Sequence, residues 1–407
     1  MCANEGHEGE ALPVRGTFKG HEDDSLDPQL STAKATELST ASQLVGPNPT
    51  GALGRVSLAV RAALEPLRAQ PPKVVFVGLS GGADSLALTL AAADICSRWG
   101  IRLETITVNH GLRPESFDEA VRASETAQAL GVGGQVTTVD VAANPGGEGP
   151  EAAARTARLD ALRTYARFEG GADQAPVLLG HTMDDQAETV LLRLARGSGA
   201  GSLRAIDADT VDDFGVRWIR PLLRVRREDT REACRQAGLT WVDDPTNQPD
   251  GPWRAADGSA LRRAAVRAYA LPALAQALGV DPVPALVRTA QLAQADDEAL
   301  NQWACTAWKD SVIIHRKTGP APAIAESVEA SVEALAALPE AVATRVLHRM
   351  AIEAGARPGD LSAGHINAMF RLVNKWHGQG RVALPGAVAN RAGRGRGQAK
   401  IEVRKIR

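Results

Sequence analysis

The chain has 407 residues, 44% of them hydrophobic and 23% charged, and a formal net charge of −2, a make-up that fits a folded, water-facing chain of about two domains plus an extension. No apolar run reaches the roughly 20 residues of a membrane helix, no basic-then-apolar leader opens the chain, and Cys2, Cys96, Cys234 and Cys305 form no Cys-x-x-Cys pair. A membrane partner, a secretory signal and a zinc-ribbon or iron–sulfur site are therefore not expected, and scattered thiols fit the cytoplasm.

The charge is uneven. Residues 1–45 hold eight Asp/Glu against three Lys/Arg, a balance of −5, which leaves +3 for the remainder. Residues 217–235 hold seven arginines against three acids, and residues 391–407 hold seven Lys/Arg against Glu402 alone. Local basic clusters of this kind bind phosphate backbones whatever the total charge; a solvated surface face is the plainer reading of either cluster alone.

Residues 1–50, rich in Gly, Ser, Thr, Pro and acids, read as a disordered extension. A short amphipathic helix over 52–69 leads into a strand–helix alternation. Strands are predicted over 74–79, 103–109, 136–141, 177–180 and 216–219, and helices over 84–97, 116–130, 150–168, 184–196 and 226–237. Alternating units with apolar strands predict an α/β fold with a doubly wound parallel sheet, whose ligands sit beyond the carboxyl ends of the strands. A polar stretch over 244–259 reads as a linker. Beyond it, helices are predicted over 261–278, 284–303, 324–337, 339–354 and 362–374, with short strands over 312–315, 381–384, 387–390 and 401–403. The second domain is thus smaller and mainly helical, with a short β element.

Three segments fall at predicted strand ends. The first, Ser80-Gly81-Gly82-Ala83-Asp84-Ser85, joins the first strand to a helix. Its glycines let the backbone turn tightly and approach an anion, and the free N–H groups of the helix start favour phosphate. Asp84 offers a carboxylate for a metal ion and Ser85 a hydroxyl for phosphate; an ordinary junction with Asp84 as N-cap is the alternative. No Gly-Lys-[Ser/Thr] follows, which excludes a Walker A loop. The second segment, Asn109-His110-Gly111-Leu112-Arg113, ends the next strand. The third, Gly180-His181-Thr182-Met183-Asp184-Asp185-Gln186-Ala187-Glu188-Thr189, places Asp185 and Glu188 on one face of a first helical turn. Two carboxylates and an imidazole there can bind Mg²⁺, hold an ammonium group or accept a proton. Arg155 and Arg158, three apart on a helix, can clamp a phosphate.

Taken together, these segments with Arg196 to Gly199, Arg220-Pro221-Leu222-Leu223 and Asp244-Pro245-Thr246-Asn247 resemble the tRNA(Ile)-lysidine synthetases. The resemblance is strong over 72–250, weaker over 250–390 and absent over 1–50. Residues 80–85 resemble the signature of the wider PP-loop ATP pyrophosphatases, of the adenine nucleotide α-hydrolase-like fold. The resemblance implies that ATP adenylates the C2 oxygen of the wobble cytidine of a CAU-anticodon tRNA(Ile). The amine of free L-lysine then displaces AMP, which converts reading from AUG to AUA. It also implies ATP and Mg²⁺ as cofactors, and leaves monomer and homodimer both open. In this reading Ser80, Gly81, Gly82, Ala83, Asp84, Ser85, Asn109 and His110 bind the nucleotide, and Asp84 holds the metal. Arg155 or Arg158 meets the α-phosphate, His181 orients the adenylate, and Asp185 and Glu188 hold and deprotonate lysine. Arg196, Arg220, Arg224, Arg262 and Arg263 contact tRNA. The implied domains are a PP-loop ATP-binding catalytic domain over 51–247, a helical tRNA-binding domain over 248–390 and a basic tail over 391–407. Other PP-loop enzymes, a tRNA thiolase or a small-molecule amide ligase forming an adenylate, are the competing expectation. The chain departs from the family where Thr182 stands in place of a second histidine and Leu159 in place of an aromatic residue.

Overall fold

The apolar run after Lys73 forms a fully buried strand, and the chain builds outward from it. A computed structural model describes residues 40–111, 115–139, 150–170, 175–196, 200–245, 248–251, 259–316, 325–393 and 398–406. The chain divides into two compact units, one ending at Gln294 and one comprising Ala295–Arg407; the division falls inside one long helix.

The larger unit contains, in order, α1 (Ala41–Val45), α2 (Gly51–Leu64), β1 (Val74–Gly78), α3 (Ala83–Trp99), β2 (Arg102–Asn109), α4 (Ser116–Ala129), β3 (Gly133–Thr138) and α5 (Pro150–Gly170). It continues with β4 (Val177–Leu178), α6 (Met183–Leu194), α7 (Ala200–Leu203), β5 (Asp209–Val211), β6 (Arg217–Ile219), α8 (Arg227–Gln236) and α9 (Arg262–Ala265). A π-helical turn, Val266–Ala270, joins α9 to α10 (Leu271–Leu278), and α11 (Val283–Ser311) follows. The strands form one six-stranded sheet in the order β3-β2-β1-β4-β6-β5. Only β5 runs antiparallel, at the edge, paired with β6. Successive residues of β1 feed two cores. Val75 and Val77 pack with Leu53, Leu86, Leu90 and Val225 on one face, and Val74 and Phe76 pack with Leu162, Ala166 and Trp218 on the other. Both faces are covered, as the continuous apolar strands predict. Strand order reverses between β1 and β4, so the crevice for a ligand lies beyond the ends of those two strands.

The smaller unit holds the second half of α11, then β7 (Val312–Arg316), β8 (Ala325–Ser331), α12 (Val332–Ala336), α13 (Glu340–Glu353), α14 (Ala363–Asn374), β9 (Val382–Leu384), β10 (Ala387–Ala392) and β11 (Lys400–Lys405). Its five-stranded antiparallel sheet has the order β7-β8-β11-β10-β9. Val328, Ala389, Ile401 and Val403 pack against Val346, Met350, Met369 and Phe370 from α13 and α14.

Several expectations change. The helix predicted over 324–337 is β8 followed by the five-residue α12. Residues 391–407 are not a tail over their described part, because β11 lies in the sheet between β8 and β10. Residues 248–294 belong with the larger unit, so the predicted boundary at 247 moves. Within the extension predicted over 1–50, Ala41–Val45 is a helix whose Ala41 and Val45 are buried in the core; residues 1–39 lie outside the described residues.

Candidate active site

The loop after β1 is held by its own side chains. Ser85 Oγ accepts from the Ser80 N–H at 3.1 Å, lies 3.1 Å from Ser80 Oγ and donates to the Gly82 carbonyl at 3.0 Å. Gly81 adopts φ +78°, where a side chain is strained. The loop therefore needs the glycine and both serines to keep its shape. The second loop, after β4, presses against it: a Cβ on Gly180 would meet the Asp84 carbonyl carbon at 3.1 Å and the Ser85 nitrogen at 3.2 Å. Thr182 caps α6 with Asp185 in a capping box, the Thr182 N–H and Oγ1 both donating to Asp185 Oδ2 at 2.8 Å. The two strand ends thus deliver Asp84, His181 and Asp185 to one place.

They line a cavity of about 780 Å³. Its walls carry, among others, Ser80, Asp84, His110, Arg158, His181 and Asp185. Asn109 and Arg155 also border it, as do Arg263 and Arg267. Asn109 is largely spent on the loop, since its Oδ1 accepts from the Gly111 N–H at 3.0 Å and from Ser116 Oγ at 2.7 Å. Leu112, Arg113, residues 197–199, Thr246 and Asn247 lie outside the described residues.

Part of the cavity wall is a charge cluster. Arg227, on the first turn of α8, reaches Asp185 at 2.9 Å, Glu188 at 3.1 Å and Asp84 at 3.4 Å. Arg267 reaches Glu188 at 2.8 Å, and Arg263 lies 3.7 Å from Glu188 while donating to Thr189 Oγ1 at 3.0 Å. Thr230 Oγ1 donates to Asp84. Three carboxylates thus face three guanidiniums. Burial pushes the Asp84 carboxyl up to about 6, against the pull of Arg227 and Thr230. Burial would also raise Asp185, but Arg227, His181 and the Thr182 N–H outweigh it and hold that carboxyl well below the usual range. Arg227 is held above the ordinary arginine value: burial opposes its charge, and Asp185, Glu188 and Asp84 more than restore it.

The upper wall is positive. Burial first, then the charges of Arg155 and Arg263, push Arg158 down to about 10, so it stays charged at neutral pH without a carboxylate partner among the described residues. Burial and the nearby arginines push His181 down to about 3; burial and Arg158 push His110 to about 4. Both imidazoles are neutral at pH 7, and each has a buried Nδ1 with no hydrogen-bond partner among the described residues. An arginine without a carboxylate partner, facing a glycine turn at a helix start, has the make-up of an anion site. Among the described residues no group of three or more His, Cys, Asp or Glu side chains forms a metal cage. A single carboxylate beside such a turn still suits Mg²⁺, which takes one or two carboxylates together with substrate phosphates.

Several expected residues take other places. Glu188 is completely buried, and it lines a separate recess of about 220 Å³ with Arg226, Arg267 and Leu271, not the larger cavity. The arginines of 217–235, expected to meet an RNA backbone, are mostly neutralised internally. Arg217 pairs with Asp209, Arg226 with Asp184 and Asp281, Arg231 with Asp243 and Arg235 with Glu232. Arg220 turns inward, donating to the Asp207 carbonyl at 2.8 Å and Thr210 Oγ1 at 3.2 Å. Arg263 likewise points into the site, whereas Arg196, Arg224 and Arg262 are exposed. Sequence reasoning missed Arg227 and Thr230 as site residues. The only signal was the arginine cluster itself, because their carboxylate partners lie 39 to 146 positions away.

The sequence matches the PP-loop domain over residues 56–268 and the TilS substrate binding domain over residues 331–398. It is 44% identical over 356 residues to a tRNA(Ile)-lysidine synthase of Salinispora tropica, covering 85% of this chain and 95% of that protein. To the tRNA(Ile)-lysidine synthase of Thermobifida fusca it is 42% identical over 342 residues, 84% of this chain and 95% of that one. Among solved structures, a U34-tRNA thiolase of Methanococcus maripaludis matches with a TM-score of 0.48 at 18% identity, covering 60% of this chain and 79% of that chain.

Proposed function

We infer how this chain, which belongs to the tRNA(Ile)-lysidine synthase family, divides its reaction among the residues above. It is an ATP-dependent ligase of the PP-loop type that forms lysidine at the wobble position of a tRNA. The observation that carries the residue assignment is the pairing of a lysine-free glycine turn with the uncompensated Arg158 across one cavity.

In this reading the turn over Ser80 to Ser85 holds the β and γ phosphates on backbone N–H groups. Arg158, with Arg155 nearer solvent, stabilises the charge that develops on the α-phosphate as the cytidine oxygen attacks and pyrophosphate leaves. Asp84 would hold Mg²⁺ together with phosphate oxygens, and that ion would supply charge neutralisation on the departing pyrophosphate. His110 and His181 are neutral and have unused Nδ1 atoms, so they are suited to hydrogen bonds with the nucleotide or the adenylated base.

Free L-lysine is the second substrate in this reading. A lysine amine titrates near 10.4 in water and must lose a proton to attack. The arginines around the cavity lower that value for an amine entering it. Asp185, which faces the cavity, attracts the ammonium. Glu188, expected beside it as a second contact to lysine, instead holds Arg227, Arg263 and Arg267 in place. The exposed Arg196, Arg224 and Arg262 remain our candidates for tRNA contacts, and the CAU-anticodon tRNA(Ile) is the proposed substrate. We propose the cytoplasm as the place of the reaction, because the substrate is a tRNA; separately, among the described residues no single helix is long and apolar enough to cross a membrane.

The thiolase reading fares worse on the cysteines. Cys96 and Cys234 are buried, and burial pushes both thiols up to about 12, far from a reactive thiolate. The test is Arg158→Ala. It should lower the rate of adenylation of a CAU-anticodon tRNA by roughly 10²–10³, the usual cost of one such donor, with little change in tRNA affinity. An unchanged adenylation rate would remove Arg158 from the α-phosphate.

A further inference from the structure

In the smaller unit, residues 361–401 contain seven Lys or Arg and no Asp or Glu. Several cations of this unit are answered by carboxylates: Arg316 by Glu353 at 2.7 Å, Arg345 by Asp297 at 2.6 Å, Arg357 by Asp360 at 2.8 Å and Lys400 by Glu329 at 2.7 Å. Arg371, Lys375 and Arg381 are different. They sit on the last turn of α14 and the loop to β9, they are exposed, and none has a carboxylate partner among the described residues. Between them lies Trp376, 40% exposed.

The indole is fixed from behind. Arg391, on β10, donates through Nη1 to the Leu372 carbonyl at 2.8 Å and the Val373 carbonyl at 3.3 Å, which ties it to the end of α14. Its guanidinium carbon lies 5.4 Å from the centroid of the Trp376 ring. One face of the ring is therefore backed by a held cation, while the residue keeps 40% of its surface exposed. A flat aromatic platform flanked by unanswered cations matches a single-stranded or looped nucleic acid, where a base stacks and neighbouring phosphates pair. A protein interface would present a broader apolar core with mixed charge around it.

We propose that this face, made by Arg371, Lys375, Trp376 and Arg381 with Arg391 behind, is where the smaller unit grips RNA. An unstacked base lies on Trp376, and phosphates are held by the three exposed cations. The proposal rests on the tRNA reading above and adds the residues and the mode of contact.

The experiment measures binding of an unmodified CAU-anticodon tRNA transcript to the full chain by filter binding over a range of salt concentrations. Trp376→Ala should weaken binding about 5- to 150-fold, the range for loss of one stacked base, while Trp376→Phe stays within about threefold. The combined Arg371→Gln, Lys375→Gln and Arg381→Gln variant should flatten the plot of log affinity against log salt by roughly two to three. These three are surface positions, so the second test stands even where Trp376→Ala lowers the melting temperature. Unchanged affinity and slope in a chain that still incorporates labelled lysine would overturn this surface alone. A shift in sedimentation with unchanged RNA affinity would overturn it too, by marking a contact between copies. A wild-type chain that binds no tRNA would overturn the functional reading and this surface together.

Discussion

Glu188→Gln separates two roles that a carboxylate in this place can have. Glu188 is fully buried and faces Arg227 at 3.1 Å, Arg267 at 2.8 Å and Arg263 at 3.7 Å. The cluster balances three carboxylates against three guanidiniums, and the substitution leaves it with one uncompensated positive charge. Breaking a buried ion pair costs about 3–5 kcal/mol. The arginine side chains here keep 17% to 32% of their surface exposed, and glutamine still offers one oxygen, so about 2–4 kcal/mol is the reasonable cost. For a domain of this size that lowers the melting temperature by about 5–15 °C. Because the same arginines position Asp84 and Asp185, pyrophosphate release and lysine transfer should fall together. The assay pairs a thermal melt with single-turnover measurement of adenylated tRNA and of labelled lysine in RNA. An unchanged melting temperature with adenylated tRNA accumulating would refute this reasoning and make Glu188 the group that takes the lysine proton.

Asp84→Asn should abolish AMP formation while leaving tRNA binding within about threefold, read by pyrophosphate release and by filter binding; retained AMP formation would remove Asp84 from the metal site. Gly180→Ala should drive a methyl into the backbone of Asp84 and Ser85, cost about 1–3 kcal/mol as an overpacked contact and weaken ATP binding measured by calorimetry. The His181 imidazole, pushed by burial down to about 3, is neutral when folded and takes a proton on unfolding below pH 6.5. Its contribution is therefore fully present above the unfolded value and is lost as pH falls toward the folded one. Between pH 6.5 and pH 5 that amounts to at most about 2 kcal/mol, visible as a falling urea midpoint that His181→Gln should flatten.

The α/β core was legible because its strands are covered on both faces, which demands unbroken apolar runs such as 74–79, and because each run is followed by a helical period. The cradle was legible because its chemistry is local: glycine, serine and aspartate must be neighbours in sequence to shape one turn. Residues 325–331 misled because alanine and glutamate favour helix, while the decisive pattern is the alternation at the end of the strand that buries Val328 and Ala330 on either side of Glu329. The third strand was set too late because Gly133-Gly134 reads as a turn. A Cβ on Gly134 would meet Thr105 Oγ1 at 2.0 Å, so the glycine is there for close strand approach. The arginine cluster over 217–235 misled for another reason. Whether an arginine faces solvent or a carboxylate depends on partners such as Asp84, Asp184 and Asp281 that only the fold brings near.

The central claim is that the turn after β1 presents the α-phosphorus of ATP to an RNA oxygen. The direct test follows ATP labelled at the α-phosphorus, with and without unmodified CAU-anticodon tRNA and lysine. The account predicts label on the tRNA when lysine is withheld and release of that label as AMP when lysine is added. ADP as the nucleotide product, or AMP formed equally well without RNA, would contradict it.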